Sequence, residues 1–352
     1  MIAAVKNIEQ IGTEAWSRFI ESHPLSSVYH HAGWHRVIEK TYGYKASYCV
    51  IDGKEGIGAA LPFVLTRSLP LGRRLVSYPY SDACDPLVRD RGEMEAIARK
   101  IDEIRVERHI GSAEIRTYRL MENLPDLAYP GKTSYCNYTL DLRRDGKLLF
   151  RSFHKDCVQR AIKKAQKSSV RVVEGRTAAD LMEFYRLHTA TRKRLGVPVQ
   201  PFKFFRNLWE ILHPPGIASL LLARDGGTTI AGVVQLKFKD TVYYKFAASE
   251  SRFLLKKPNH LIIWRMIEDA QKEGYRCLDF GRTFTGDSGL MQWKARWGAE
   301  RKDFRYIYPG TSAISRFSQE GNRTNAILSG ILKRMPRFVV RASGELFYRY
   351  LA

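Results

Sequence analysis

Polar residues at the end of a predicted strand have the types and spacing that ligand chemistry requires. Asp279 and Arg282 flank Gly281 where the segment RCLDF ends. Open α/β sheets place ligand contacts at the carboxyl ends of their strands, so both side chains are candidates to orient a substrate or a catalytic group. The structural alternative is an Asx turn at Asp279 with a salt bridge from Arg282.

A second candidate group lies on a predicted helix with an apolar stripe from Leu181 to Leu195, which Gly196 ends. His188 and Arg192 are one turn apart on this stripe. His188 would remove a proton from an attacking amine or hydroxyl, a contribution of about 10² to 10⁴ in rate. Arg192 or Arg194 would hold a phosphate or carboxylate. A histidine packed in the core is the alternative.

Tyrosines supply further candidates for substrate contact. Tyr244 lies on a predicted strand, where successive side chains point to opposite faces of the sheet. Tyr78, Tyr80 and Asp82 would line the acceptor side of the first half of the chain. Aromatic residues in turns are more often packing residues, which is the alternative for Tyr78.

The net charge predicts an anionic partner. Lys and Arg number 58 against 36 Asp and Glu, a difference of +22 over 352 residues. A field of this size attracts nucleic acid, a phosphate-bearing donor, an acidic carrier protein or an anionic membrane. The 44% of hydrophobic residues is typical of a globular protein, and the length suggests two domains at roughly 150 residues each.

Two basic segments concentrate this charge. In a helix predicted over about 153–168, Arg160 and Lys164 share a cationic face opposite a buried apolar one. We expect this face to contact an anion, with a solvated surface as the alternative. The tail 311–352 mixes seven Lys and Arg with apolar residues. Such a segment lies on an anionic membrane surface or packs as a helix across the domains.

Several other classes of protein are disfavoured. The sequence contains no H-E-x-x-H, G-x-S-x-G, P-loop or C-x-x-C motif, so we expect neither a hydrolase nor a metal site. The five cysteines are widely spaced and expected to be reduced. No apolar run reaches the roughly 18 residues of a spanning helix. The first residues lack the pattern of an export leader, so a cytoplasmic location is expected.

An internal repeat predicts the fold. ASYCVIDGKEGIGAALPFVL at 46–65 resembles ASLLLARDGGTTIAGVVQLKF at 218–238, and each follows helical periodicity and precedes a predicted helix and strand. A duplicated α/β unit explains this order. We expect a first unit at 1–150, a basic connecting helix at 151–170, a second unit at 171–310 and the tail at 311–352.

The segment NHLIIWRMIEDAQKEGYRCLDFGRTFTGDSGLMQWKARWGAE, from Asn259 to Glu300, resembles the C-terminal signature of the FemAB-like branch of the GNAT acyltransferase superfamily. In that signature a helix leads to a strand ending in Asp-x-Gly, a Gly-Leu turn, an aromatic-Lys pair and a Trp-Gly. Segments 153–172 and 187–198 match in type and order. Segment 61–82 is similar to family members encoded with exopolysaccharide biosynthesis.

The resemblance implies an α/β (α+β) fold of two tandem GNAT-like units, each a mixed sheet flanked by helices. It implies acyl or aminoacyl transfer to an amine or hydroxyl in a cleft. Lys294, of the aromatic-Lys pair, would stabilise the oxyanion of the tetrahedral intermediate, with Trp293 as a substrate contact and Asp279 beside it. Loss of one such donor typically costs about 10² to 10³ in rate. A surface lysine is the alternative.

The donor site departs from the usual GNAT pattern. Typical GNAT enzymes bind the pyrophosphate of acyl-CoA with a Gly-rich turn at a helix N-terminus. Here that position reads RFLLKKPNHL and has no glycine. Lys256, Lys257 and the helix start at Asn259 would hold an anion instead. The donor is a co-substrate rather than a bound cofactor: acyl-CoA held atypically, an acyl-carrier protein or aminoacyl-tRNA.

The leading hypothesis is an enzyme that acylates a nucleotide-sugar, a lipid-linked sugar or a polysaccharide precursor at the inner face of the membrane, in exopolysaccharide or cell-envelope biosynthesis. One alternative is a non-catalytic basic module that binds RNA or anionic membrane. The other is a peptidyl-type transferase that depends on aminoacyl-tRNA. DNA is not expected as a partner.

Overall fold

A computed structural model describes residues 1–68, 72–120, 124, 131–132, 134–310 and 323–351. The chain divides into two compact units. Unit 1 comprises Met1–Tyr135, Asp303–Glu320 and Arg349–Ala352, and unit 2 comprises Cys136–Lys302 and Gly321–Tyr348.

Unit 1 contains a mixed sheet that has seven strands within the described residues, in the order β1-β2-β3-β4-β5-β15-β6. The strands are β1 (Ala4–Lys6), β2 (Ser47–Gly53), β3 (Gly56–Ser68), β4 (Gly72–Val76), β5 (Ser112–Thr117), β6 (Gly131–Lys132) and β15 (Arg305–Ile307). The helices are α1 (Ile8–Ile11), α2 (Thr13–Ser22), α3 (Ala32–Tyr42) and α4 (Arg91–Glu107). Strands β4 and β5 pair in parallel, and α4 provides the crossover that a parallel pair requires.

Unit 2 contains a second mixed sheet, in the order β13-β7-β12-β11-β10-β9-β8, with β14 paired to β7. Its strands are β7 (Tyr135–Asp141), β8 (Val170–Gly175), β9 (Ala218–Asp225), β10 (Thr228–Phe238), β11 (Thr241–Ser249), β12 (Cys277–Asp279), β13 (Thr283–Phe284) and β14 (Glu300–Asp303). Its helices are α5 (Gly146–Ser152), α6 (Arg160–Gln166), α7 (Ala178–Leu195), α8 (Phe202–Leu212), α9 (Pro258–Lys272), α10 (Ser288–Ala295), α11 (Arg323–Arg334) and α12 (Arg337–Phe347). Two helix-flanked mixed sheets confirm the expected α/β (α+β) class.

The structure places the boundary between the units at 135/136 rather than at 150. Strand β7 pairs with β12, with Leu140 opposite Leu278, and so joins the sheet of unit 2. Strand β15, expected in the second unit, pairs with β5 in the sheet of unit 1. The segment expected to connect the units at 151–170 instead contributes Val158 and Ile162 to the core of unit 2.

The basic segment differs from the single helix predicted over 153–168. Lys155–Gln159 form one π-helical turn, which leads into α6. The His154 ring caps this turn by accepting the backbone N–H of Asp156. Ala161 and Ile162 are buried, as the amphipathic pattern predicts.

Helices α7 and α9 show how local sequence fixes element ends. A capping box between Thr177 and Asp180 starts α7, and Gly196 ends it in the left-handed conformation at φ 69°, as predicted. The helix start expected at Asn259 lies one residue earlier, at Pro258. The cap is Lys257, at φ 59°, because Pro258 occupies the first helical position.

The tail belongs to unit 2 from residue 323 to Tyr348 and to unit 1 from Arg349 onwards. Residues 311–322 and Ala352 lie outside the described residues. Val340 of α12 is buried, and the backbone N–H of Phe202 donates to Glu345 Oε1 at 2.9 Å. A Cβ atom at Gly344 would lie 2.1 Å from the carbonyl oxygen of Val199, so this contact requires glycine. None of the described helices combines the length and apolarity that crossing a bilayer demands.

We predict that Gly344→Ala destabilises unit 2 although alanine is the better helix former. The added methyl group would overlap the Val199 carbonyl, and overpacking of this kind costs about 1 to 3 kcal/mol. Gly330→Ala in α11 is the matched control, because nothing lies within 4 Å of its Cβ position. Helix propensity alone should stabilise that variant by up to about 1 kcal/mol. Urea unfolding measures both, and equal shifts would contradict the prediction.

Candidate active site

The site lies where the central parallel strands of unit 2 separate. Strands β11 and β12 pair only from Thr241 opposite Cys277 to Tyr243 opposite Asp279. Strand β12 ends there, whereas β11 continues to Ser249. The pairing of β11 with β10 also shifts by one residue, with a bulge at Lys245. A bulge bends its strand and is frequent beside active sites.

A hydrogen-bonded chain joins Lys294 to the end of β12. The carboxylate of Asp279 accepts the side-chain amide of Asn137 at 2.8 Å and the backbone N–H of Gly281 at 2.7 Å. The second bond is the Asx turn that the sequence suggested as an alternative. The carbonyl of Gly281 in turn accepts the Lys294 ammonium at 2.5 Å. Gly281 adopts φ 73°, which favours glycine.

Lys294 is a buried lysine rather than a surface one. Its exposed fraction is 3%, and that of Asp279 is 4%. Helix α10 presents Lys294, and this helix starts where Asp287 Oδ1 accepts the backbone N–H of Leu290 at 2.9 Å. A buried ammonium held by a backbone carbonyl is a fixed positive charge of the kind that stabilises a developing oxyanion.

An aromatic cluster adjoins this chain of hydrogen bonds, because Phe280 precedes Gly281 and Trp293 precedes Lys294. The ring centroids of Tyr244, Phe280 and Trp293 lie 6.1 to 6.4 Å apart. Trp297 continues the cluster and stacks on His260, with centroids 5.7 Å apart. The structure therefore brings together the rings of two predicted residues, Tyr244 and Trp293, and Lys294 follows Trp293 in α10.

His260, from the first turn of α9, extends the site to the start of that helix. Burial and the nearby Lys257 ammonium lower the pKa of His260 to about 4. Lys257, a predicted anion ligand, therefore lies near the aromatic cluster. The helix N-terminus beside it carries partial positive charge, which favours an anion.

The other predicted donor ligands are engaged elsewhere. Lys256 forms an ion pair with Asp225 at 2.5 Å, and the side chain of Asn259 donates to Ser249 Oγ at 3.3 Å. Arg160 pairs with Asp156 at 2.8 Å on the exposed side of α6. Lys164 is exposed on that side as well. The cationic face of α6 is exposed, and its contact with an anion stays a prediction.

Arg192 and Arg282, both predicted ligands, lie near Tyr348 in the tail. Burial raises the pKa of Tyr348, while the charges of Arg192 and Arg282 oppose this rise. Arg192 also donates to the carbonyl of Pro198 at 2.9 Å. Arg194 donates to the carbonyl of Ser249 at 3.4 Å, on the strand that borders the site.

His188 and Tyr78 occupy packing positions. His188 is 3% exposed, and its Nε2 lies 2.8 Å from Gln200 Oε1. Its centroid is 4.8 Å from that of Phe205, and burial with the nearby Arg192 charge lowers its pKa to about 3. Tyr78 is fully buried in unit 1 and stacks on His35 at 3.9 Å. Both side chains are therefore packed in the core, as the structural alternatives for these two residues stated. Neither residue is retained as a catalytic or binding candidate.

Sequence reasoning missed Asn137, His260 and Trp297. Asn137 belongs to a strand that was assigned to the first unit, and only its pairing beside β12 brings it to Asp279. His260 had a usable signal, since it is the third residue of the helix after the Lys-Lys-Pro segment. Trp297 lies three residues after Lys294, on the same face of the turn that ends α10.

Comparisons with known proteins identify the class. Residues 152–295 match the family profile of an acetyltransferase (GNAT) domain. No curated protein matches the sequence. Among solved structures, the chain is similar to FemX, with 16% identity over 86% of this chain and 97% of that one and a TM-score of 0.69. A tandem GNAT protein from the clavulanic acid biosynthesis pathway matches with 12% identity, 88% and 98% coverage and a TM-score of 0.55. L-PGS from Bacillus licheniformis matches with 10% identity, 92% and 97% coverage and a TM-score of 0.55.

The chain is therefore an acyltransferase that carries a GNAT domain. The likeness to FemX spans most of both chains and shows that the two share a fold, in line with the resemblance seen in the sequence. At these identities the structural comparisons establish a shared fold, and the substrates are a separate question.

We predict that His188→Gln reduces the loss of stability on acidification. The folded-state pKa of about 3 lies below the unfolded value of 6.5. Below pH 6.5 the unfolded chain therefore binds a proton that the folded chain excludes, and stability falls until the pH reaches the folded value. From pH 6.5 to 4.5 this effect amounts to about 2 to 3 kcal/mol.

Urea unfolding at pH 7 and near pH 4.5 measures this difference for the wild type, the His188→Gln variant and a control. His213→Gln is the matched control, because His213 is only half-buried in the same unit. Equal acid sensitivity of the wild type and His188→Gln would contradict the assignment.

Proposed function

We propose that unit 2 transfers an acyl or aminoacyl group from an anionic donor to an amine or hydroxyl of a sugar-containing acceptor. The acceptor is a nucleotide-sugar, a lipid-linked sugar or a polysaccharide precursor of the exopolysaccharide or cell envelope. The observation that carries this proposal is the buried Lys294 ammonium, fixed by Gly281 beside the aromatic cluster.

Lys294 acts on the transition state. Attack on the acyl carbonyl forms a tetrahedral intermediate whose oxygen becomes negative, and a charge already in place stabilises it without reorganisation. Asp279 orients the turn that holds Lys294, and Asn137 orients Asp279. Asp279 and Asn137 are therefore positioning residues in this scheme.

The surrounding side chains suit the two substrates. Lys257 and the N-terminus of α9 would hold the anionic group of the donor. Tyr244 and Trp293 offer ring faces to a sugar, and Arg192 with Arg282 would bind its phosphate or carboxylate. The C-terminal domain of a putative lysylphosphatidylglycerol synthetase from Agrobacterium fabrum shares the fold with a TM-score of 0.54, which supports an aminoacyl group as the group transferred.

A second candidate function is RNA binding. The RNA would be an aminoacyl-tRNA that serves as donor, or a ligand that is bound without catalysis. A cavity of about 600 Å³ in unit 2 is lined by Lys147, Arg151 and Lys163 together with Phe150 and Trp264. The Lys163 ammonium lies 5.8 Å from the centroid of the Phe150 ring. Cations interleaved with aromatic rings are the chemistry that binds single-stranded nucleic acid.

We predict that Lys294→Met lowers transfer by about 10²- to 10³-fold while the fold is kept. The assay records the mass shift of nucleotide-sugar acceptors with acyl-CoA or aminoacyl-tRNA as donors. Lys272→Met is the matched control, because Lys272 is exposed in the last turn of α9. Asn137→Ala should produce a smaller loss, since it removes a donor to Asp279 and leaves the ammonium.

Wild-type turnover by Lys294→Met would overturn the role of this residue. Steeply salt-dependent RNA binding without any turnover would instead favour the non-catalytic module.

The proposed location is the cytoplasmic face of the membrane, with peripheral attachment through the tail. Leu346 and Phe347 of α12 are 64% and 54% exposed, and Arg349 follows two residues later. We predict that the protein sediments with vesicles of anionic lipid but not with vesicles of neutral lipid. The double variant Leu346→Ser with Phe347→Ser should sediment less with the anionic vesicles. Wild-type sedimentation of this double variant would contradict attachment through α12.

A further inference from the structure

A cavity of about 900 Å³ is lined by residues of α7 and α12 within unit 2. This volume lies in the range of about 300 to 1,000 Å³ that is typical of small-molecule sites. Lys294 and Asp279 do not line the cavity, so it is a different place from the candidate active site. None of the preceding functional assignments uses it.

The walls of the cavity are apolar on both sides. Met182 of α7 and Phe338 of α12 line it and are 45% and 74% exposed. Ala342, one turn after Phe338, leaves room between the helices. Tyr185 also lines the cavity. Its hydroxyl is occupied by a hydrogen bond to the carbonyl of Gln200 at 3.1 Å, so the ring is the part that is available to a ligand. Exposed apolar surface on facing walls marks a binding site more often than isolated exposed residues do.

Three arginines border this apolar space. Arg337 forms no ion pair with any residue that the structure describes, and Arg341 lies 5.6 Å from the centroid of the Tyr185 ring. Arg186 lies 3.8 Å from Glu250 and donates to the carbonyl of Thr229 at 3.3 Å. Guanidinium groups are matched in shape to carboxylate and phosphate.

The acids that line the cavity are already engaged. Glu183 Oε2 accepts the hydroxyl of Thr229 at 2.5 Å. Glu345 Oε1 accepts the backbone N–H of Phe202 at 2.9 Å. Glu183 also lies 3.4 Å from Arg224, whereas Glu345 keeps its negative charge. The three arginines that line the cavity outnumber its two acids, so the charge facing a ligand is positive on balance.

We propose that this cavity binds a single-chain amphiphile, an alkyl chain that ends in a carboxylate or phosphate. The chain lies between α7 and α12 against Met182, Phe338 and Ala342. The anionic group lies against Arg337 and Arg341. The site is independent of acyl transfer at Lys294, and it holds a free monomeric ligand rather than a bilayer surface.

Isothermal titration of the full chain with myristate, below its micellar concentration, tests the site. We expect one bound equivalent. Butyrate, which carries the charge without the chain, should not bind. Arg337→Glu should weaken myristate binding about tenfold, as expected for the loss of a charge-assisted hydrogen bond. Lys333→Glu is the control, because Lys333 is exposed on α11 and does not line the cavity.

Ala342→Trp fills the cavity from α12 and should abolish binding of myristate. Met182→Trp fills the cavity from α7 and replaces the first variant if that one does not fold. Circular dichroism reports whether each variant is folded. The proposal is overturned by wild-type protein that does not bind myristate, or by folded tryptophan variants that bind it unchanged. Sedimentation with anionic vesicles in the absence of myristate binding would equally overturn it, since that result indicates a surface contact.

Discussion

The buried ammonium of Lys294 is the constraint around which unit 2 is arranged. Removing a charged group from water is costly unless the protein supplies hydrogen-bond acceptors. The acceptor described here is the carbonyl of Gly281, which points correctly only because the turn at Gly281 is left-handed. The carboxylate of Asp279 holds that turn, and Asn137 holds the carboxylate.

The brief pairing of β11 with β12 gives this arrangement its space. Three residue pairs hold the strands together, and β12 then ends at the residue that starts the turn. Strand β11 continues past that point with a bulge. The helix that connects the two strands, α9, begins near the same place and contributes His260. An anionic substrate group and an apolar one would thus both find binding partners in one small region, the first at the start of α9 and the second at the aromatic cluster.

Local signals in the sequence predicted much of the fold. Periodicity and stop residues located α7 and α9 to within a few residues, because capping and helical spacing depend on neighbours along the chain. The Asp-x-Gly and aromatic-Lys signatures located the end of β12 and Lys294. These signals succeed where the determining contacts are short-range.

Long-range contacts set the limits of prediction. Lys256 looked available as an anion ligand, yet its partner Asp225 lies 31 positions away. Asn137 carries no motif, and it reaches Asp279 only because its strand pairs across 142 positions of sequence. His188 could be assigned to the core only after α8 placed Phe205 against it. The register of the sheet and the packing of helices, rather than residue type, decided each of these positions.

The pairing of β5 with β15 joins residues near 115 to residues near 307. The sheet of unit 1 therefore stays incomplete on the ribosome until nearly the whole chain has emerged. At synthesis rates of about 5 to 20 residues per second, β5 waits for roughly 10 to 40 seconds. During that interval its edge is open to mispairing, so this protein depends on unit 2 closing promptly and returning the chain to its first half.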